Sequence, residues 1–300
     1  MVTIGNFDGV HLGHQSLLRE AVSRGRQEGM ASLALTFWPH PLKVLAPQKP
    51  VVLLCSLEEK MDLIERTGVD QFYCADFDLP FSQQSPDTFV RSFLIEKIGC
   101  RQAIVGDNFA FGKGRQGTAK DLVELGTRHG FSVHVQKPVE VEGMRVNSSS
   151  IRSLLMEGKV AAAARLLGRH YRIQGEVIEG EGRGTALGFP TANFRPPSGF
   201  VLPQPGIYAA WASRPHSKPV PAAAYIGLRP TFGAGELWVE SYLLEPPGSL
   251  YGAVLSIAFV EYIRPDEKFE SEGALARQIA LDVQKVREIL AAARPGPAPP

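Results

Sequence analysis

The stretch GNFDGVHLGHQ, Gly5 to Gln15, follows directly on the apolar run Val2-Thr3-Ile4 and decides how the first half of the chain is read. A short strand that passes through a glycine turn into a helix is a phosphate-binding arrangement. Backbone N–H groups and the helix dipole there meet an anion at the carboxyl edge of a sheet. His11 and His14 stand about one helical turn apart, so both rings can project toward that edge. Imidazoles so placed can donate hydrogen bonds to phosphate oxygens as charge builds during phosphoryl or nucleotidyl transfer. Gly13 allows close backbone approach. The pattern is not a P-loop, because G-x-x-x-x-G-K-[ST] is missing, and it does not fit the dinucleotide fingerprint G-x-G-x-x-G. A zinc site on His11 and His14 lacks further ligands at a recognisable spacing.

Outward from this stretch, strand-like and helix-like segments alternate. Residues 14–27 read as a helix closing at Gly29, and Ser32 to Phe37 as the next strand. Ser56-Leu57-Glu58-Glu59 is a capping box that opens a helix to Thr67, with Gly68 as its stop. A strand near Gln71 to Ala75 precedes Ser85-Pro86, an N-cap with proline in the first turn, which starts a helix through Lys97. Ala103 to Val105, Thr118 to His129 and Ser132 to Gln136 continue as strand, helix and strand. This alternation predicts an α/β Rossmann-like domain, a parallel sheet with helices on both faces. After Leu167 the pattern changes to short β-forming runs: Tyr171 to Val177, Ile207 to Ala212, Ala222 to Ile226, Trp238 to Leu244 and Val254 to Val260. Glycine and proline turns separate them with no helix between. They predict a small antiparallel β-barrel, closed by one amphipathic helix from Gly273 to Leu290. The boundary is placed at residue 168, the second domain at 169–293, and a disordered tail at 294–300 (RPGPAPP).

The 300 residues suit two domains, and 44% hydrophobic with 21% charged residues is ordinary for a soluble protein. A formal net charge of +1 offers no basic field for nucleic acid. Cys55, Cys74 and Cys100 lack a metal-type rhythm and read as buried reduced thiols. No apolar run approaches the ~18 residues of a membrane span. The expectation is a cytoplasmic enzyme that uses small molecules, without nucleic acid or membrane partners. Its oligomeric state is left open.

In the second half, GEVIEGEGRGTALGFPTANF (Gly175 to Phe194) is glycine-dense and ends on Pro190-Thr191-Ala192-Asn193. Such a backbone can approach phosphates closely, and two polar side chains around an apolar one can face a Mg²⁺–phosphate group. Strand alternation puts Glu240 on the face opposite Val239 and Ser241.

The chain resembles the bacterial bifunctional riboflavin kinase/FMN adenylyltransferase (FAD synthetase) family. GNFDGVHLGH resembles its adenylyltransferase signature, supported by TFWPHP (Thr36 to Pro41), VGDNFAFGKGRQG (Val105 to Gly117) and VNSSSIRSLL (Val146 to Leu155). The resemblance implies that residues 1–168 join AMP from ATP to FMN, giving FAD, while 169–293 phosphorylate riboflavin with ATP and Mg²⁺. It implies that His11 and His14 stabilise the α-phosphate. Gly5, Phe7, Asp8, Gly9, Gly13, Pro39 and His40 would surround nucleotide and flavin. Asn108 would hold the FMN end, and Ser148, Ser149 and Arg152 the triphosphate. In the kinase half it implies nucleotide or flavin contacts at Gly182, Arg183, Gly184, Gly188, Pro190 and Arg229. Thr191 and Asn193 would hold Mg²⁺, and Glu240 would be the general base on the ribityl 5′-hydroxyl. Lys113 and Arg115 read equally as solvated loop charges. Arg229 and Arg264 border flavin or phosphate, or form surface ion pairs. Relatives usually read S-S-T-x-I-R where this chain has Asn147-Ser148-Ser149-Ser150-Ile151-Arg152, and G-R-G-R where it has Gly182-Arg183-Gly184-Thr185. Many also carry a short leader, whereas this chain begins almost on its first strand.

Overall fold

The computed structural model describes residues 1–180, 182–228, 237–245 and 248–296. The chain divides into two compact units, Met1–Ser148 and Ser149–Pro300. In the first lie β1 (Val2–Ile4), α1 (Leu12–Glu28), β2 (Leu33–Trp38), α2 (Leu57–Glu65), β3 (Gln71–Asp76), β4 (Gln102–Gly106), α3 (Ala119–His129) and β5 (Ser132–Gln136). The five strands form one parallel sheet in the order β3-β2-β1-β4-β5. Strand order therefore reverses between β1 and β4, and the general rule for such sheets puts the binding crevice beyond the carboxyl ends of these two strands.

Both faces of this sheet are covered, which explains the continuous apolar strands. Val2, Ile4, Leu35 and Val105 pack with Phe89, Phe93, Leu94 and Leu122. Ala34 packs with Phe7, Leu18 and Ile64. The helix ends follow local chemistry: α1 stops at left-handed Gly29 (φ 66), and Ser56 Oγ accepts the Glu59 N–H at 3.1 Å to open α2. Thr118 and Asp121 form a reciprocal capping box on α3. The helix expected after Ser85 starts there, with Ser85 Oγ accepting from Thr88, but Phe89–Lys97 is wound with a wider, π-helical pitch. Phe89 and Phe93 stack in it at 5.6 Å, and Phe81 stands edge-on to Phe93.

In the second unit α4 (Ser148–Met156), which starts at the division, and α5 (Val160–Leu167) precede β6 (Tyr171–Glu176), β7 (Thr191–Phe194), β8 (Gly206–Ser213), β9 (Val220–Leu228), β10 (Leu237–Leu243), β11 (Val254–Arg264) and α6 (Glu272–Ala292). The six strands form one antiparallel sheet in the order β6-β11-β8-β9-β10-β7. The sheet curls until its edges meet at one bridge, where the Ile178 N–H donates to the Asn193 carbonyl at 2.8 Å. Large Tyr208 and Phe259 alternate with small Ala210, Ala222 and Ala224 in the fully buried interior. On the outer face Ala209, Trp211 and Val260 lie under Val286 and Leu290 of α6. α5 packs on β6 and β11 and ends at Gly168 in the left-handed region.

Two details differ from expectation. A short helical turn, Arg183–Ala186, interrupts the glycine-rich connection, and Thr191–Phe194 is itself a strand. Arg264 makes a two-pronged pair with Asp282 of α6 at 2.7–3.1 Å, and both are largely buried, so it ties helix to sheet instead of lying at the surface. The tail expectation falls partly on 297–300, and the expectation for Arg229 on 229–236. Both lie outside the described residues.

Candidate active sites

The loop between β1 and α1 is bent by three left-handed residues, Phe7 (φ 46), Gly9 (φ 78) and Val10 (φ 37). Glycine adopts this region freely, whereas phenylalanine and valine cost on the order of 1–3 kcal/mol each. Phe7 and Val10 are fully buried against Leu18 and Ile64. Burial of such side chains contributes roughly 1.5–3 kcal/mol apiece, enough to hold the strained backbone. A Cβ at Gly9 would stand 2.8 Å from Leu54.

Side chains from five surrounding segments fasten the loop. Thr36 Oγ1 and Lys60 Nζ both donate to the Asn6 carbonyl, at 3.2 and 2.8 Å. Asp8 Oδ1 accepts from the Leu54 N–H at 2.9 Å, and Cys55 Sγ accepts from the Gly9 N–H at 3.1 Å. Ser148 Oγ donates to the Asp8 carbonyl, and Gln15 to that of Val10. Asp8 thus faces inward as a loop anchor.

The loop delivers the two histidines together. His11 is the N-cap of α1, its Nδ1 accepting the His14 N–H at 3.2 Å, and the rings stack with centroids 3.6 Å apart. An Nδ1 that accepts leaves the proton of neutral His11 on Nε2, a donor. Burial first, then His11 and Lys60, hold His14 well below the usual 6.5, so its imidazole is neutral. Phe7 stands edge-on to His14 at 5.3 Å, and His14 Nδ1 is a buried polar atom with no protein partner. A Cβ on Gly13 would press within 3.2 Å of the His11 ring.

Asn108 follows β4 on the far side of the crevice, with its Oδ1 folded over Gly106. Beside it, the Asp107 carboxylate takes two bonds from Arg145 at 2.6 and 2.8 Å, latching the hairpin that carries Arg145. Pro39 follows the end of β2 after a cis peptide, and buried His40 caps the turn Pro41–Leu45 through Nδ1. Gly5, Phe7, Asp8, Gly9, His11, Gly13, His14 and Ser148 are therefore gathered at one loop. Ser149 and Arg152 lie on α4 in the second compact unit.

In the second unit, β7 and β10 pair so that Asn193 is opposite Glu240 and Thr191 opposite Tyr242. On the other side of β10, Glu240 is opposite Tyr225. Asn193, Glu240 and Tyr225 thus form one row on one face. Asn193 Nδ2 donates to the Thr191 carbonyl and hydroxyl, at 3.0 and 3.5 Å. Above them, a Cβ on Gly180 would stand 2.5 Å from Asn193 Nδ2, and one on Gly184 3.3 Å from Thr191 Oγ1. Gly182 and Gly188 take left-handed backbone, and Arg183 and Pro190 are exposed along the same connection. Phe189 packs edge-on against Tyr242.

Sequence reasoning missed Tyr225, which the spacing Ala223–Tyr225 puts on the Glu240 face. Its hydroxyl donates to Asp266 at 2.7 Å, and a Cβ at Gly227 would fall 1.9 Å from that oxygen. Burial, then Asp266 and Glu240, raise its pKa, so it stays a donor. Lys60 was missed as well, although its i, i+4 spacing from Ile64 marks the buried face of α2.

Residues 1–150 match the family model described as FAD synthetase, and 167–290 the one described as riboflavin kinase. The bifunctional riboflavin kinase/FMN adenylyltransferase of Escherichia coli K12 is 34% identical over 295 residues, 98% of this chain and 94% of that protein. The Listeria monocytogenes protein of the same name is 33% identical, covering 97% and 92%. A crystal structure described as a macrolide-efflux protein from Streptococcus pneumoniae superposes with a TM-score of 0.88 at 28% identity, over 95% of this chain and 93% of that one. Among the described residues, no helix of the present chain is long and apolar enough to cross a membrane.

Proposed function

The chain belongs to the family of bifunctional riboflavin kinases/FMN adenylyltransferases, making FMN from riboflavin and FAD from FMN, and we propose that the two rows of residues above carry these two steps. The carrying observation is the stacked His11–His14 pair, with His14 neutral, at the start of α1 beside the reversal of strand order.

In the first unit, an FMN phosphate oxygen attacks the α-phosphorus of ATP. That P–O bond forms as the bond to the β-phosphate oxygen breaks, and pyrophosphate leaves. His11, through Nε2–H, and His14 donate to the α-phosphate oxygens as their charge grows. The N–H groups at the start of α1 add a fixed positive end. Asn108 holds the FMN side. Ser148 braces the loop, and the family pattern assigns Ser149 and Arg152 to the triphosphate. Gly5, Phe7, Asp8, Gly9 and Gly13 shape the cradle, while Pro39 and His40 border it.

In the second unit, Glu240 takes the proton from the ribityl 5′-hydroxyl as that oxygen attacks the γ-phosphorus and ADP leaves. Thr191 and Asn193 present a hydroxyl and an amide, hard oxygen donors suited to Mg²⁺, with the backbone of Gly180 and Gly184 close above them. Mg²⁺ would supply neutralisation of phosphate charge, and these two residues would hold it. Gly182, Arg183, Gly184, Gly188 and Pro190 line the ATP approach, and Arg229 is assigned there by family pattern. Residues 1–168 and 169–293 serve as the two catalytic domains of a cytoplasmic enzyme.

Purified protein given riboflavin, ATP and Mg²⁺ should produce FMN first and FAD after it, resolved by separating flavins over time. Absence of both products rejects the assignment.

A further inference from the structure

Lys60 is 2% exposed, on the inner side of α2 beneath the Gly5–His11 loop. Its ammonium donates to the Asn6 carbonyl and stands 5.7 Å from the Trp38 ring. Among the described residues, no carboxylate lies within ion-pair distance of it. The nearby Asp8 carboxylate is itself buried and accepts from the Leu54 N–H. Cys55, the other potential counter-ion, has its thiol pushed up to about 12, chiefly by burial, and so stays neutral. Burial outweighs every favourable neighbour and lowers the Lys60 pKa. A buried cation without a contacting anion is costly in the free protein. The Asn6 carbonyl does not depend on the charge for a partner, because Thr36 donates to it as well.

That cost has a use if the missing anion arrives with the substrate. The loop over Lys60 is the one assigned to the nucleotide phosphates, and a charge shielded from water acts through it with little screening. The field reaches the site, since Lys60 is among the groups that hold His14 neutral.

We propose that Lys60 is the buried counter-charge of the nucleotide triphosphate in adenylyl transfer, a positioning residue that acts through the loop without touching substrate. The proposal rests on the assignment of the first unit to that reaction. It separates two roles the side chain could have, a donor that pins Asn6 and a charge that attracts phosphate.

Two variants distinguish them: Lys60→Gln keeps a donor without the charge, and Lys60→Met removes both. The assay is FAD formation from FMN and MgATP, with kcat and KM for MgATP taken separately, and riboflavin phosphorylation measured in the same preparations. Both variants should raise KM for MgATP by about tenfold or more with kcat little changed, as expected when binding common to ground and transition state is lost. Phosphorylation should be unaffected in both variants. A KM rise confined to Lys60→Met makes the residue a loop anchor and overturns the proposal. An unchanged KM in both overturns it too. So does a riboflavin phosphorylation that falls in step with FAD formation in both variants, because a loss common to the two activities reports the fold and not the charge. His14→Ala run alongside tests the underlying assignment: if it keeps FAD formation, the site itself is wrong, whatever Lys60 does.

Discussion

His14 and His11 share one bond and one stack: the backbone of the first donates to the ring of the second, and the two imidazoles lie 15° from parallel. Two imidazolium rings at 3.6 Å would repel, and burial with that neighbour keeps the His14 ring neutral.

His14→Ala should lower FAD formation from FMN by ~100-fold or more, the usual scale for losing a donor aimed at developing charge. Riboflavin phosphorylation in the same protein should persist. Flavin chromatography with each substrate supplied separately reads both.

Glu240→Gln should do the reverse. Loss of a general base costs about 10²–10⁴-fold. The expected result is little FMN from riboflavin, with normal FAD from added FMN. Equal loss of both activities in either variant would mean that the two rows are not separate sites.

Gly227→Ala tests the role of Tyr225. The new methyl would occupy the position of the tyrosine hydroxyl, so the ring must swing off Asp266. Because the displaced atom is the far end of a side chain, stability should fall by only about 1 kcal/mol. Riboflavin kinase activity should drop several-fold, while FAD formation from FMN stays. Calorimetry and the two assays separate these effects.

The acid limb of stability follows from the histidine pair. His14 is lowered below 6.5 in the fold, so between 6.5 and its folded value the unfolded chain binds the extra proton. Stability from this group is therefore full above about pH 6.5 and declines as pH falls below it. Denaturant midpoints measured from pH 7.5 down to 5 should drop in wild type, and His14→Ala should flatten part of that slope. FAD formation should likewise survive at pH 6, where an ordinary histidine is mostly charged.

What was legible in the sequence was local and periodic. Val2-Thr3-Ile4, the stop at Gly29 and the Thr118 helix start each obey rules that act within a few residues, and they appear where expected. The site signatures were legible because they pack unusual residue types into short runs. Lys60 and Tyr225 escaped because their partners, Asn6 and Asp266, are 54 and 41 positions away. Thr191–Phe194 escaped as a strand because its β character comes from pairing with β10, a tertiary effect, while its neighbours look like loop. The wide helix over Phe89–Lys97 left no mark in sequence, since its capping serine and apolar spacing suit an ordinary helix equally well.

The barrel's edges meet at Ile178 and Asn193, so the seam of the fold shares a residue with the row proposed for the kinase step. Each neighbouring pair of strands in the sheet runs as an extended ladder, whereas among the described residues the two edges join through a single bridge. Parting that seam breaks the Ile178–Asn193 backbone bond, where parting any two neighbouring strands breaks a whole ladder.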